Sequence, residues 1–141
     1  MKVNNRTVGA IVEQHDLPYA LVSAMIYVES GWRADVMRYE PGYRWLWAVK
    51  SNKPYRVSSS FATSSRAPDD FKGLWPESDD TEWQLQRFSA GPLQIMGATA
   101  RELGYVRQLS NLNSWADGVV YACRHLAKLK RRFHEKHGLT G

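Results

Sequence analysis

Apolar positions recur at helical spacing along much of the chain and almost nowhere alternate as they would in a half-buried strand. Val8, Ile11 and Val12 predict a first helix over Arg6 to His15, with Asn4 or Asn5 as its N-cap. His15 reads as a surface or packing residue, because no second ligand-type residue stands at a matching spacing. A second helix follows. Asp16 is placed to cap it, Pro18 sits where a first turn tolerates proline, and Gly31 supplies the stop. Leu17, Leu21, Met25 and Val28 form its apolar stripe, and Ile26 and Tyr27 widen that surface, so this helix is expected to be largely buried. Glu29 and Ser30 fall in its last turn.

Tyr43 to Val49 reads as a short helix after Pro41, within a stretch dense in aromatic residues. Residues 50–80, rich in serine and interrupted by Pro54, Pro68 and Pro76, predict a long, irregular, mobile loop, with Asp69, Asp70, Asp79 and Asp80 as turn residues. Helix is expected again from Thr81 to about Phe88. A turn at Gly91-Pro92-Leu93-Gln94-Ile95 then leads into a helix ending at Gly104. The last helix starts near Ser114, whose spacing to Asp117 resembles a capping box, and buries Val119, Ala122, Leu126, Leu129 and Phe133. The expected fold class is mainly α: one helical domain with a long irregular loop at about 50–80.

Length and composition narrow the classes. The chain has 141 residues, enough for one domain to bury a core without a metal or disulfide staple. Its single cysteine, Cys123, rules out an intramolecular disulfide and a multi-thiolate zinc site. No apolar run is long enough to span a membrane. Met1 to Asn5 is polar and no small-residue cleavage site follows, so no signal segment is expected. Nineteen Lys and Arg against fourteen Asp and Glu give a net charge of +5, which favours polyanionic partners without choosing among them. Arg124, Lys128, Lys130, Arg131, Arg132 and Lys136 concentrate that charge on the last helix. Such a helix suits a solvated face, an anionic envelope polymer or lipid, or a nucleic-acid phosphate track.

Glu29 is the carboxylate that stands out. It follows Ala20 to Val28, a run without charge, and it lies at a helix C-terminus, where the dipole presents partial negative charge. Burial and dipole together would disfavour its ionised form, the disposition a general acid needs.

Ala24-Met25-Ile26-Tyr27-Val28-Glu29-Ser30-Gly31 resembles the Glu-Ser motif of soluble lytic transglycosylases of the lysozyme-like superfamily. Gly91-Pro92-Leu93-Gln94-Ile95, continued by Met96 to Gly104, resembles that family's Gly-Leu-Met-Gln-Ile turn and the helix after it. Trp115 to Leu126 is similar to the helix that follows in the family, and Arg38-Tyr39-Glu40-Pro41-Gly42-Tyr43 resembles an insertion of phage-encoded members. Two departures are plain. Pro92-Leu93 replaces the family's Leu-Met pair, and its Ala-Tyr-Asn-Ala-Gly segment has no counterpart up to Gly141.

The resemblance implies a lysozyme-like domain that cleaves the β-1,4 bond between N-acetylmuramic acid and N-acetylglucosamine in peptidoglycan. Glu29 would act first as acid and then as base, giving a 1,6-anhydro product, with no metal and no organic cofactor. Ser30, Gly91, Leu93 and Gln94 would line the sugar site. Glu40 is the first candidate for a second carboxylate, which would make the enzyme a hydrolytic muramidase; its competing reading is a helix-surface pair with Arg44. From other classes, a basic nucleic-acid-binding protein or an inactive glycan-binding relative are the alternatives. On the enzyme reading the partners are peptidoglycan strands and, through the basic helix, anionic envelope polymers; no nucleic acid is expected. The product would be made in the cytoplasm, encoded by a phage, and would act on the wall in the periplasm after release or from the virion.

Overall fold

The computed structural model describes residues 2–57 and 64–138. Among them are five α-helices and two small antiparallel sheets; with one 3-10 turn, helix makes up 47% of the described residues. The architecture is therefore mixed α and β, and the mainly α expectation is corrected. Strand appears where the sequence showed no alternation, because each strand has only two to four residues. A period of two needs a longer run to be visible.

Helix α1 spans Lys2–Gln14 and α2 Tyr19–Ser30. The chain then forms β1 (Met37–Tyr39) and a hairpin of β2 (Trp45–Ala48) and β3 (Lys53–Arg56). After an irregular segment come α3 (Asp79–Leu85), β4 (Phe88–Ala90), β5 (Ile95–Met96) and α4 (Gly97–Glu102). A short 3-10 turn at Leu109–Leu112 leads to α5 (Asp117–Lys136). The first sheet has the order β1-β4-β5, with Met37 opposite Ala90 and Ala90 opposite Ile95. The second is the hairpin, with Trp45 opposite Arg56 and Trp47 opposite Pro54.

Two apolar clusters hold these elements. The larger joins α1, α2, the three-stranded sheet and α5 around Val8, Val12, Val22, Ile26, Leu112 and Val119. The smaller packs Leu46 of the hairpin with Phe71, Trp83 and Ala98. The short helix α4 belongs to both: Ala98 faces the small cluster and Ala100 the large one.

Several sequence expectations are corrected at this level. Tyr43 to Val49 is turn and strand, because its residues pair with Lys53–Arg56. Within residues 50–80 lie the strand β3 and the start of α3, and the described remainder is held in place. Trp83 Nε1 donates to the Ser64 carbonyl at 2.8 Å, and Phe71 is fully buried. Of the four aspartates expected in turns, Asp69 and Asp70 lie in one, whereas Asp79 and Asp80 open helix α3. Asp80 accepts the Ala67 N–H at 2.8 Å, Asp79 the Gly73 N–H at 2.7 Å, and Asp70 the Tyr55 hydroxyl at 2.6 Å. The mobility expected of residues 58–63 falls outside the described residues.

Asp16 does not cap α2; the N-cap position is Pro18, and Asp16 instead meets Lys130 of α5 at 3.8 Å. The buried face of α2 is Val22, Ile26 and Ser30, so the helix is not largely buried: Leu21 is 54% exposed, Tyr27 71% and Val28 78%. On α5 burial fades along the expected stripe. Val119 and Ala122 are buried, Leu126 is half-buried, and Phe133 is 55% exposed.

Candidate active-site cleft

The end of α2 is shaped by two successive left-handed residues. Gly31 has φ 62°, and Trp32, a residue that rarely adopts this conformation, also has φ 62°. Together they turn the chain out of the helix toward β1. Trp32 is held there by stacking on Trp115 with ring centroids 5.6 Å apart. Ser30 is buried at this corner. Its hydroxyl donates to the Ile26 carbonyl at 3.1 Å and accepts the Arg33 N–H at 3.3 Å. Glu29, beside it, is exposed. The burial expected for Glu29 is thus not found: it lies on the open side of α2, whose buried face runs through Ile26 and Ser30.

The Gly91–Gln94 turn lies against the chain that leaves α2. Gly91 adopts φ 83°, and its N–H reaches both the Val36 carbonyl at 3.0 Å and Asn113 Oδ1 at 3.1 Å. A Cβ here would stand 2.4 Å from the Leu112 carbonyl oxygen, so only glycine fits. Gln94 also has positive φ, 53°. Its amide nitrogen donates to Val36 O at 2.8 Å and Gly91 O at 2.9 Å, and its Oε1 accepts the Ser89 hydroxyl at 3.0 Å. Leu93 is buried in the main core.

These elements enclose a cleft of about 170 Å³ lined by Met25, Gln94, Met96, Thr99, His125 and Leu126, among others. Met25 and Glu29 are four residues apart on α2 and so share a face. Glu29 therefore stands one turn beyond the cleft wall that Met25 forms. Gln94 shares the cleft with Met25 and is bonded to Val36, in the chain that leaves α2.

Of the residues singled out from the sequence, Gln94 and Leu93 line the cleft; Glu29 is not in its lining and lies one helical turn from Met25, which is. Ser30 and Gly91 are enclosed behind the cleft, their polar groups engaged within the protein. Glu40 is elsewhere. It lies just past the end of β1 and is not in the lining of the cleft. Its N–H is bound to the Arg87 carbonyl at 2.8 Å. The helical pairing expected of Glu40 with Arg44 has no helix to form on, and Arg44 instead lies 5.8 Å from the Trp45 ring centroid.

Three cleft residues lie in the segments that carry the resemblance but were not singled out as site residues: Met96, Thr99 and His125. Burial pushes the His125 imidazole below its ordinary value, against a raising influence from Glu102. That carboxylate is thus a charged neighbour of the cleft. Among the described residues no group of three or more His, Cys, Asp or Glu is placed to hold a metal ion, and no helix is long and apolar enough to cross a membrane. No family model, curated protein or solved structure matches the chain.

Proposed function

We propose that the protein is a peptidoglycan-cleaving glycosidase, a lytic transglycosylase in which Glu29 is the single acid and then base. What supports this most is one placement: Glu29 is in the last turn of α2, one turn past Met25, and Met25 and Gln94 line the same cleft. The two motifs that carry the family resemblance are far apart in sequence, yet both border this cleft.

In the proposed reaction Glu29 donates its proton to the glycosidic oxygen as the bond to the muramic acid C1 breaks. The resulting carboxylate takes the proton of the same sugar's C6 hydroxyl, and that oxygen closes onto C1. No water is consumed, and the product carries a 1,6-anhydro ring. The substrate's acetamido group can stabilise the cation-like centre, so a second carboxylate is not required. Ser30 and Gln94 serve as positioning residues, since their hydrogen-bonding groups hold the cleft walls together. The exposed cations of α5, Arg124, Arg131, Arg132 and Lys136, give the protein a salt-sensitive attraction to anionic envelope polymers. The place of action is the bacterial wall, and the source a phage, whether by release or from the virion.

The test is mass spectrometry of muropeptides from purified peptidoglycan. Anhydro ends are expected. Glu29→Gln should lower turnover by ~10² to 10⁴-fold, the usual worth of general acid–base catalysis. Glu40→Gln should cost less than about tenfold, since that carboxylate is outside the proposed chemistry. Near-normal turnover by a folded Glu29→Gln protein would sink the assignment.

A further inference from the structure

A second trough lies beside the first, between the hairpin and α4. The antiparallel register puts Trp45, Trp47, Pro54 and Arg56 on one face of the hairpin, while Leu46 and Tyr55 point the other way into the small core. From α4, Thr99 and Glu102 complete a trough of about 200 Å³. Its wall is fixed. The Trp47 N–H donates to Gln86 Oε1 at 2.9 Å, and Gln86 Nε2 donates back to the Trp47 carbonyl at 2.9 Å. Trp45 is 51% exposed, with Tyr43 edge-on at 5.7 Å.

We propose that this trough is a carbohydrate subsite, taking one pyranose ring of the glycan whose scissile bond lies at the Gln94 cleft. The chemistry of the walls suits a sugar. An exposed indole offers a flat apolar surface for the C–H face of a ring. Arg56 supplies donors and Glu102 acceptors for its hydroxyl and amide groups. At about 200 Å³ the trough is smaller than the ~300–1,000 Å³ typical of a whole drug-sized ligand, so it suits one unit of a longer chain.

The trough adjoins the proposed active site. Thr99 lines both spaces, and the charge of Glu102, in the trough wall, acts on His125 in the Gln94 cleft. A glycan strand lying along α4 would therefore contact the two in succession. The identity of the glycan rests on the proposed function; the subsite itself rests on the hairpin face.

The experiment measures binding in the Glu29→Gln protein, so that turnover does not intervene. The probe is a hexamer of β-1,4-linked N-acetylglucosamine, titrated by calorimetry at low salt. The parent should bind. Adding Trp45→Ala should weaken binding about tenfold, and Glu102→Gln should weaken it less. Trp75→Ala removes an 87% exposed indole outside the trough and should leave affinity unchanged. Thermal unfolding confirms that each variant is folded; Trp45 is half-exposed, so its removal should be tolerated. Failure of the parent to bind the hexamer, or equal affinity in a folded Trp45→Ala protein, would overturn the subsite. A Glu29→Gln protein that still cleaves peptidoglycan, yet loses hexamer binding with Trp45→Ala, would overturn the catalytic reading and leave the subsite standing.

Discussion

Arg101 is a buried cation that works as a joint. Its Nε and Nη2 each donate to Glu82 at 2.8 Å, while Nη1 donates to the carbonyls of Tyr105 at 2.8 Å and Arg107 at 2.7 Å. Glu82 is fully buried and also accepts from Gln86 at 2.8 Å. A paired and fully bonded charge can stay inside a protein, whereas one stripped of its partner is costly. Arg101→Ala is therefore expected to lower stability by about 3–5 kcal/mol in urea unfolding. Arg107→Ala, at the exposed end of its pair with Asp117, should cost at most ~1 kcal/mol. Nothing in the sequence marked Arg101 or Glu82 as interior. Charged residues are read as surface unless a partner is visible, and these two are nineteen residues apart.

At the level of elements, α2 shows what a sequence pattern resolves. Its existence, its end at Gly31 and the place of Glu29 in its last turn are all legible, because Gly31 closes a helix whose sequence is mostly apolar. Its orientation is not. From Tyr19 to Val28 only Ser23 and the Tyr19 and Tyr27 hydroxyls are polar, so no side of the helix is marked as outward. The expected stripe through Leu21 and Val28 is off by one position from the observed one through Val22 and Ile26. The difference is measurable. Ile26→Ala should cost about 2–5 kcal/mol, and Val28→Ala should stay within ~0.5 kcal/mol, by chemical denaturation of each variant. The Gly91–Gln94 turn was legible for the same reason as Gly31: its conformation demands particular residues. The β2–β3 hairpin was not, because Pro54 and a four-residue strand hide the alternation that pairing imposes.

For the whole molecule, the consequence of enclosing two carboxylates around one arginine is a pH dependence. Burial and the neighbouring Glu82 push the Glu77 carboxyl up from 4.5 to about 7. Burial alone would also raise Glu82, but the two-pronged contact with Arg101 holds it below its ordinary value. For Glu77 the folded protein keeps a proton that the unfolded chain has released between about 4.5 and about 7. Its contribution to stability is thus full below the lower value and is lost as pH rises through the upper one. Glu82 works in the opposite sense, adding stability above its ordinary value that fades in acid. Glu77→Gln should flatten the fall in stability between those two pH values, leaving the variant relatively more stable near pH 8. Urea midpoints measured across that range check this; an unchanged slope would contradict it.

The six residues of α4 stand between both cores and both clefts. Ala98 touches one core, Ala100 the other, Thr99 borders both spaces, and a Cβ on Gly97 would meet the Leu85 carbonyl oxygen at 2.3 Å. Such a segment has almost no freedom to drift. A larger side chain at 97, 98 or 100 has no solvent to expand into and would shift the hairpin and the α5 side together. On the proposed reading, variation that tunes which glycans are accepted enters through the hairpin face, where Trp45 and Arg56 are exposed, while Gly97, Ala98 and Ala100 stay small.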